Sequence, residues 1–289
     1  MKNILIVGRG AAGQRYLDLI KLIDPSVIVD IYDRKKAKRW YDYIIISSST
    51  ENHFNDFVQF SGSSNTFLLE KPIVTDAVQL AELDKIVKDK KLEIFTGDQF
   101  FFSDLICKIM DIMEEKWSNV LECEIIYTDL EKNVTKGNTK SFFYDYKSGG
   151  VLYTFSHAYF VFQMILKGLY PILMSVKNQH VALNSENYVE RNVESKWLVD
   201  NRVPVKICTN VIGNNLQFNV IIKTNLEYWS FDLIAGKFKK GNSTIYMPKN
   251  SRQELIQRCI MNFLEKDKFD QYGLSKAALS NIWKIKKCL

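Results

Sequence analysis

Residues 4–13 read Ile4-Leu5-Ile6-Val7-Gly8-Arg9-Gly10-Ala11-Ala12-Gly13. Four apolar residues running into glycines describe a strand buried on both faces of a parallel sheet. Helical spacing begins directly afterwards, with Tyr16, Leu17, Ile20 and Ile23 on one stripe, and stops at Asp24-Pro25. Glycine spacing of this kind has meaning only in the order strand, glycine loop, helix, with an acidic residue at the end of the next strand. That order is present, because Asp33 stands 20 residues after Gly13 at the end of an apolar segment over residues 27–32. The first glycine makes a tight turn, the second lets backbone approach a pyrophosphate, and the third lets helix and strand pack closely. A pyrophosphate then rests on the free N–H groups at the helix start. The stretch predicts a Rossmann domain that holds a nicotinamide dinucleotide.

Asp33 is placed to accept hydrogen bonds from the adenosine ribose hydroxyls, which favours NAD. Arg34, with Lys35 and Lys36 beside it, suits a 2′-phosphate, so NADP stays open. Only nine residues separate Asp33 from the next strand at Tyr43. A parallel crossover normally takes a dozen or more residues. The shortness predicts a Rossmann domain lacking one helix, with or without an edge strand, and open on its adenine side.

Further along, residues 43–47 and 67–69 read as short buried strands. A helix capped by Thr75 or Asp76 carries Leu80, Leu83, Ile86 and Val87 inward. Residues 93–96 form another strand, and Ser103 starts a helix with Leu105, Ile106, Ile109, Met110 and Met113 on its inner face. The pattern then changes. Residues 120–128 make a long strand, Leu216, Phe218 and Val220 alternate with polar residues, and so do Trp229, Phe231 and Leu233. Turn signals stand at Gly213-Asn214-Asn215 and Lys240-Gly241-Asn242. The apolar stretch over 151–166 reads as one buried helix. Two helices end the chain, the first with Leu255, Ile256, Cys259, Ile260, Phe263 and Leu264 on a stripe, the second following Ser275. The expected organisation is α/β then α+β. A Rossmann domain spans residues 1–117, shortened between its second and third core strands, and an open-faced antiparallel sheet domain spans 118–289.

Composition limits the function classes. The 289 residues are 46% apolar and 13% aromatic, enough for two packed cores. The net charge of +6 suits anionic small molecules; with no basic helix or arginine-rich tail, no nucleic-acid partner is expected. The five cysteines form no CxxC pair, and no His/Cys/carboxylate cluster has ligand spacing, so neither disulfides nor a metal are expected. The N-terminus runs straight into a strand without a signal-like stretch, and Ser156, His157 and Gln163 interrupt the longest apolar run. No membrane partner is expected, and the cytoplasm is the expected location.

Three further motifs carry a resemblance. They are Tyr43-Ile44-Ile45-Ile46-Ser47-Ser48-Ser49-Thr50-Glu51-Asn52-His53, then Glu70-Lys71-Pro72, then Gly149-Gly150-Val151-Leu152-Tyr153-Thr154-Phe155-Ser156-His157. In order and spacing the set resembles the glucose–fructose oxidoreductase / inositol dehydrogenase (Gfo/Idh/MocA) family and covers most of the chain. The resemblance implies an NAD(P)-dependent oxidoreductase acting on sugars or related polyols, with a sheet face used for homo-oligomers. Its serine–histidine version is similar to members acting on nucleotide-sugars for bacterial surface polysaccharides. Carried onto this chain, it implies cofactor contacts from Gly8, Arg9, Gly10, Ala11, Ala12, Gly13, Asp33, Arg34, Ser47, Ser48, Ser49, His53, Glu70, Lys71 and Pro72. It implies substrate contacts from Gln99, Tyr153 and Thr154, and chemistry from Lys71 and His157.

Lys71 has an independent argument. Hydride exchange with a carbinol carbon needs a group that takes or gives the hydroxyl proton, and a desolvated lysine beside a cationic nicotinamide has its pKa lowered into a useful range. Glu70 would orient it and Pro72 would fix the turn; His157 would bond the substrate hydroxyl. The chain also departs from the family. Acidic residues common three or four positions before the signature histidine are replaced by Tyr153 and Thr154, the one three positions after by Phe160, and an arginine near Gln99 by aromatics. These losses keep a second reading open, a cofactor-binding regulatory or assembly subunit without turnover. A reductase of a non-sugar carbonyl or imine is the third.

Overall fold

The computed structural model describes residues 2–32, 39–135, 142–145, 149–166, 168–182, 188–247, 251–266 and 270–289. The first elements are β1 (Asn3–Val7), α1 (Ala11–Ile23), β2 (Ile28–Ile31), β3 (Tyr43–Ile46), α2 (His53–Phe60), β4 (Thr66–Leu69), α3 (Ala77–Lys90) and β5 (Glu93–Thr96). Next come α4 (Asp104–Lys116), β6 (Val120–Leu130), α5 (Glu131–Thr135), α6 (Gly150–Thr154) and α7 (His157–Leu166). A run of strands follows: β7 (Pro171–Ala182), β8 (Tyr188–Val199), β9 (Val203–Asn210), β10 (Ile212–Thr224), β11 (Tyr228–Asp232), β12 (Lys237–Lys240) and β13 (Ser243–Tyr246). The helices α8 (Arg252–Glu265) and α9 (Gln271–Lys286) close the chain. Two compact units result, Met1–Gln99 with Arg252–Lys276, and Phe100–Ser251 with Ala277–Leu289.

The first unit is a five-stranded parallel sheet in the order β2-β1-β3-β4-β5. The apolar runs of β1, β3 and β4 explain why these strands are interior. Residues 4–7, 43–46 and 66–69 are buried throughout, as strands covered on both faces must be. β2, at the edge, is only partly covered. The strand order reverses between β1 and β3, so their carboxyl ends part and leave the crevice where open α/β sheets take ligands. α1 covers 11–23 as its spacing predicts, although Leu19 rather than Leu17 is buried against the sheet beside Tyr16 and Ile20. At α3 the cap is Asp76, whose carboxylate accepts the Gln79 N–H at 2.9 Å. Of the four residues expected inward there, only Leu83 is fully buried. Residues 39–42 carry no helix, while residues 33–38, where the shortened crossover was expected, lie outside the described residues.

α8 completes this unit from far along the chain. Its whole apolar stripe is buried as the spacing predicts. Phe263 meets Tyr43 and Phe95 edge-on at 5.1 and 5.4 Å, and the Tyr43 hydroxyl donates to the Leu264 carbonyl at 3.0 Å. Buried polar groups close the same junction: Gln271 accepts the Thr96 N–H at 3.2 Å and donates to Asn262 at 2.9 Å, and Ser275 reaches Thr96 at 3.1 Å.

The second unit is an eight-stranded sheet in the order β13-β12-β11-β10-β6-β9-β8-β7. It is mixed rather than purely antiparallel, because β6 and β9 run parallel. The reason is local. β9 passes Thr128 of β6 at Asn210, the chain rounds the end of β6 at Val211, and β10 returns on the other side with Ile212 opposite Leu130. The glycine–asparagine signal at 213–215 is therefore an irregularity within β10, between Ile212 and Gln217, and not a hairpin turn. Phe218 and Val220 face inward as the alternation predicts, but Leu216 is exposed. Lys240-Gly241-Asn242 does make the β12–β13 turn, with Gly241 at φ 56°. The expected single helix over 151–166 is two helices, because the chain tightens at Phe155 (φ −103°, ψ 31°) before α7 starts.

Phe263→Ala is expected to destabilise the protein by about 3–5 kcal/mol, as removal of a buried aromatic ring does. Denaturant unfolding followed by circular dichroism checks this; an unchanged midpoint would mean that α8 is not part of the first unit's core.

Candidate functional site

The glycine turn of the first unit is built by contact as much as by conformation. Gly8 has φ +118°, and a Cβ there would lie 2.5 Å from the Ser47 carbonyl carbon and oxygen. A Cβ on Gly13 would lie 2.0 Å from the Gly8 carbonyl oxygen. The first and third glycines are thus demanded by strand β3 and by the turn itself. Gly10 differs: it is the N-cap of α1, no side chain caps it, and nothing stands within 4 Å of where its Cβ would be. The Gly10 carbonyl accepts the Gln14 N–H at 3.0 Å, and no side chain of the described residues caps the helix start, which suits an incoming anion. Arg9 and Ala11 are exposed on the same turn, and Ala12 is half-buried.

The end of β3 forms the other wall. Ser47 donates from backbone and hydroxyl to the Val7 carbonyl, at 2.8 and 3.2 Å. The Ser48 hydroxyl is buried without a hydrogen-bond partner among the described residues, at the place where a ligand's polar atom would satisfy it. Ser49 is exposed and its hydroxyl accepts from Asn52 at 2.7 Å. His53, 2% exposed, spans two loops: Nδ1 lies 2.8 Å from the Pro72 carbonyl and Nε2 3.0 Å from the Ser48 carbonyl. Its ring ties the end of β3 to the end of β4.

At the end of β4 stand Glu70, Lys71 and Pro72, the Lys71–Pro72 peptide being cis. Glu70 accepts the Tyr16 hydroxyl at 2.7 Å and the Lys71 N–H at 3.1 Å. Burial pushes the Lys71 ammonium below its ordinary proton affinity, the Glu70 and Asp98 carboxylates pull it back up, and Arg252 pushes it down. Burial, then the charge of Glu70, keeps the Tyr16 hydroxyl protonated well past its usual range. Gln99 stands half-buried just after the buried carboxylate of Asp98. The first unit thus brings together Gly8–Gly13, Ser47, Ser48, His53, Glu70, Lys71 and Pro72, while Asp33 and Arg34 lie outside the described residues. Tyr16, Asp98 and Arg252 were not singled out from the sequence. A tyrosine on a buried helix stripe needs a partner for its hydroxyl, and that is the one signal by which the sequence could have marked Tyr16.

The second unit carries the remaining candidates. His157, at the start of α7, is buried between the edge of Phe100, 4.8 Å between ring centres, and Tyr127 at 6.3 Å. Tyr153 is buried; its hydroxyl accepts from Trp283 Nε1 at 3.2 Å, and Lys286 Nζ lies 4.4 Å above its ring. Thr154 is half-buried. Gly150 has φ +74°, and its Cβ position is taken by the carboxylate of Glu190, a buried acid that pairs with Lys286 at 3.7 Å. Burial lowers the Lys286 proton affinity and Glu190 restores part of it. Nothing in the sequence marked Glu190, because a charged residue in a strand ordinarily reads as its solvated face.

Gly13→Ala is expected to lose folded protein, since its methyl group would overlap backbone. Gly10→Ala meets no atom of the described residues within 4 Å and is expected to lower the melting temperature by only about 2–4 °C, alanine being a poorer N-cap than glycine by about 1 kcal/mol. Thermal melts of both variants check the contrast; equal stability would refute the packing role assigned to Gly13.

No family model matches the chain, and no curated relative matches it. Solved structures do. An NAD-binding oxidoreductase from Klebsiella pneumoniae superposes with a TM-score of 0.80 at 11% identity, over 99% of this chain and 96% of that one. A protein of gentamicin A biosynthesis, solved in complex with NAD, gives 0.74 at 12% identity, over 99% and 93%. The UDP-N-acetylglucosamine 3-dehydrogenase of Acidithiobacillus ferrooxidans gives 0.72 at 13% identity, over 100% and 97%. At these identities the likeness establishes the fold: a Rossmann-like parallel sheet with a separate, mostly antiparallel sheet domain, shared along the full length with known oxidoreductases.

Proposed function

We propose that the protein is an NAD-dependent oxidoreductase of the Gfo/Idh/MocA type, exchanging hydride with a carbinol carbon of a sugar or nucleotide-sugar. The observation that carries this reading is Lys71. It is a desolvated lysine at the carboxyl end of β4, in a loop that His53 ties to the end of β3 beside the open glycine turn. An uncapped helix start, an open Gly10 and an unsatisfied Ser48 hydroxyl are the donor set a pyrophosphate requires. Bound NAD supplies the hydride acceptor or donor. The chain's own groups do the rest: Gly8–Gly13 and Ser48 hold the dinucleotide, and Glu70 fixes the Lys71 backbone. In oxidation the neutral Lys71 amine takes the substrate hydroxyl proton, and in reduction the ammonium returns it. His157 bonds the same hydroxyl, with Gln99, Tyr153 and Thr154 contacting the substrate. Asp33 and Arg34 are assigned to the adenosine side, where a 2′-phosphate would mark NADP use. The five free cysteines suit a reducing cytoplasm. A homo-oligomer through the second unit's sheet and a role in surface polysaccharide synthesis complete the proposal.

A second reading, a cofactor-binding subunit without turnover, is favoured by one observation. His157 packs among Phe100, Tyr127 and other aromatic rings as a core histidine does, and buried Phe160 stands where relatives carry an acid. Turnover decides between the two.

Lys71→Ala is expected to cut turnover by at least about a hundredfold while NADH affinity stays within a factor of two, read by nicotinamide absorbance across free and nucleotide-linked sugars. Retained activity would end the assignment of Lys71, and silence of the wild type with tight NADH binding would favour the second reading. Because Lys71 must be neutral to accept a proton, kcat/KM for oxidation is expected to rise with pH through a midpoint below the ordinary lysine value. The reverse reaction should fall across the same midpoint. Glu70→Gln removes a charge that favours the ammonium, so the midpoint moves to lower pH; a shift upward would contradict the geometry.

A further inference from the structure

A groove of the first unit lies apart from the glycine turn, between α1 and α8. Arg15, Asp18, Leu19 and Leu22 line it from α1, and Arg252, Gln253 and Ile256 from the first turns of α8. Its lining combines the apolar side chains of Leu19, Leu22 and Ile256 with the two arginines. Among the described residues neither guanidinium has an ion pair. The one carboxylate in the groove, Asp18, accepts the Gln14 side-chain amide at 2.8 Å, and the groove keeps a net positive charge. Arg15 and Arg252 thus line one groove from two helices, and Asp18 is the carboxylate that lines it with them. Like charges repel unless an anion joins them.

The groove also neighbours the lysine loop. Arg252 is near enough to Lys71 for its charge to disfavour the ammonium, and Arg15 acts on Tyr16, the partner of Glu70. Guanidinium forks match phosphoryl oxygens, and two forks from separate helices suit a tetrahedral dianion better than a planar carboxylate, which one fork satisfies.

We propose that the α1–α8 groove is a phosphoryl-binding subsite, in which Arg15 and Arg252 grip an anionic group of the substrate while Leu19, Leu22 and Ile256 support its apolar part. That the ligand is the substrate rests on the oxidoreductase reading; the affinity of the groove for phosphate does not. The subsite makes a phosphorylated or nucleotide-linked compound the substrate class.

The test uses the full chain with saturating NADH, so that the helix start at the glycine turn is filled, and titrates inorganic phosphate by calorimetry at constant ionic strength. Saturable binding is expected, weakened at least about tenfold by Arg15→Gln and by Arg252→Gln, the loss of one charge-assisted contact. Arg252→Lys should restore part of it, acetate should not compete, and NADH affinity should stay within twofold in every variant. Absence of saturable phosphate binding, or wild-type affinity in both glutamine variants, overturns the proposal. Competition by acetate as strong as by phosphate overturns the phosphoryl assignment. Should NADH itself not bind, the cofactor reading fails, and the same titration still reads the groove through the two variants.

Discussion

The first unit depends on the approach of three backbone segments that leave no room for a side chain. The Gly8 turn lies against Ser47 and Ser48, and the Gly13 turn of α1 lies on the Gly8 carbonyl. This contact brings the helix start to the point where the strand order reverses, so the positive end of α1 and the carboxyl ends of β1 and β3 face one crevice. A methyl group at either glycine would separate them. Gly10 is exempt, since no atom of the described residues stands within 4 Å of its Cβ position.

From that junction the candidate chemistry is fixed in short links. Ser48 belongs to the strand end that Gly8 touches, the His53 ring lies between the Ser48 and Pro72 carbonyls, and Pro72 follows Lys71. Tyr16, on the helix that Gly13 seats, reaches back to Glu70. The lysine loop is therefore placed from two directions. Desolvation lowers the proton affinity of Lys71 below the ordinary lysine range, while Glu70 and Asp98 limit the fall.

The second unit follows another logic. Its strands set a wide sheet in which one parallel pair appears because the chain rounds the end of β6. Glu190 and Lys286 form a mostly buried pair against Gly150 and Tyr153, so a helix of five residues is held by groups far away in sequence. The positions three and four before His157, where the family resemblance led an acid to be expected, hold Thr154 and Tyr153. A buried acid does stand in the same unit, on a different element.

What the sequence determined by itself was periodic or sterically extreme. Residues 4–13, the apolar runs of β3 and β4, and the α8 stripe each admit few conformations, and each was legible without the fold. The Glu70-Lys71-Pro72 motif and His53 were legible as a set of motifs in order. Tertiary structure alone decided what depends on partners distant in the chain. A reading with one seam has no means of showing that residues 252–276 return to the first unit, because an amphipathic stripe states that a helix is covered and not by what. The tightening at Phe155 and the parallel β6–β9 pair were likewise invisible, since periodicity reports burial and not strand direction. Asp98, Glu190 and Arg252 gained their meaning only from the groups placed next to them, as charge acts through distance in space rather than along the chain.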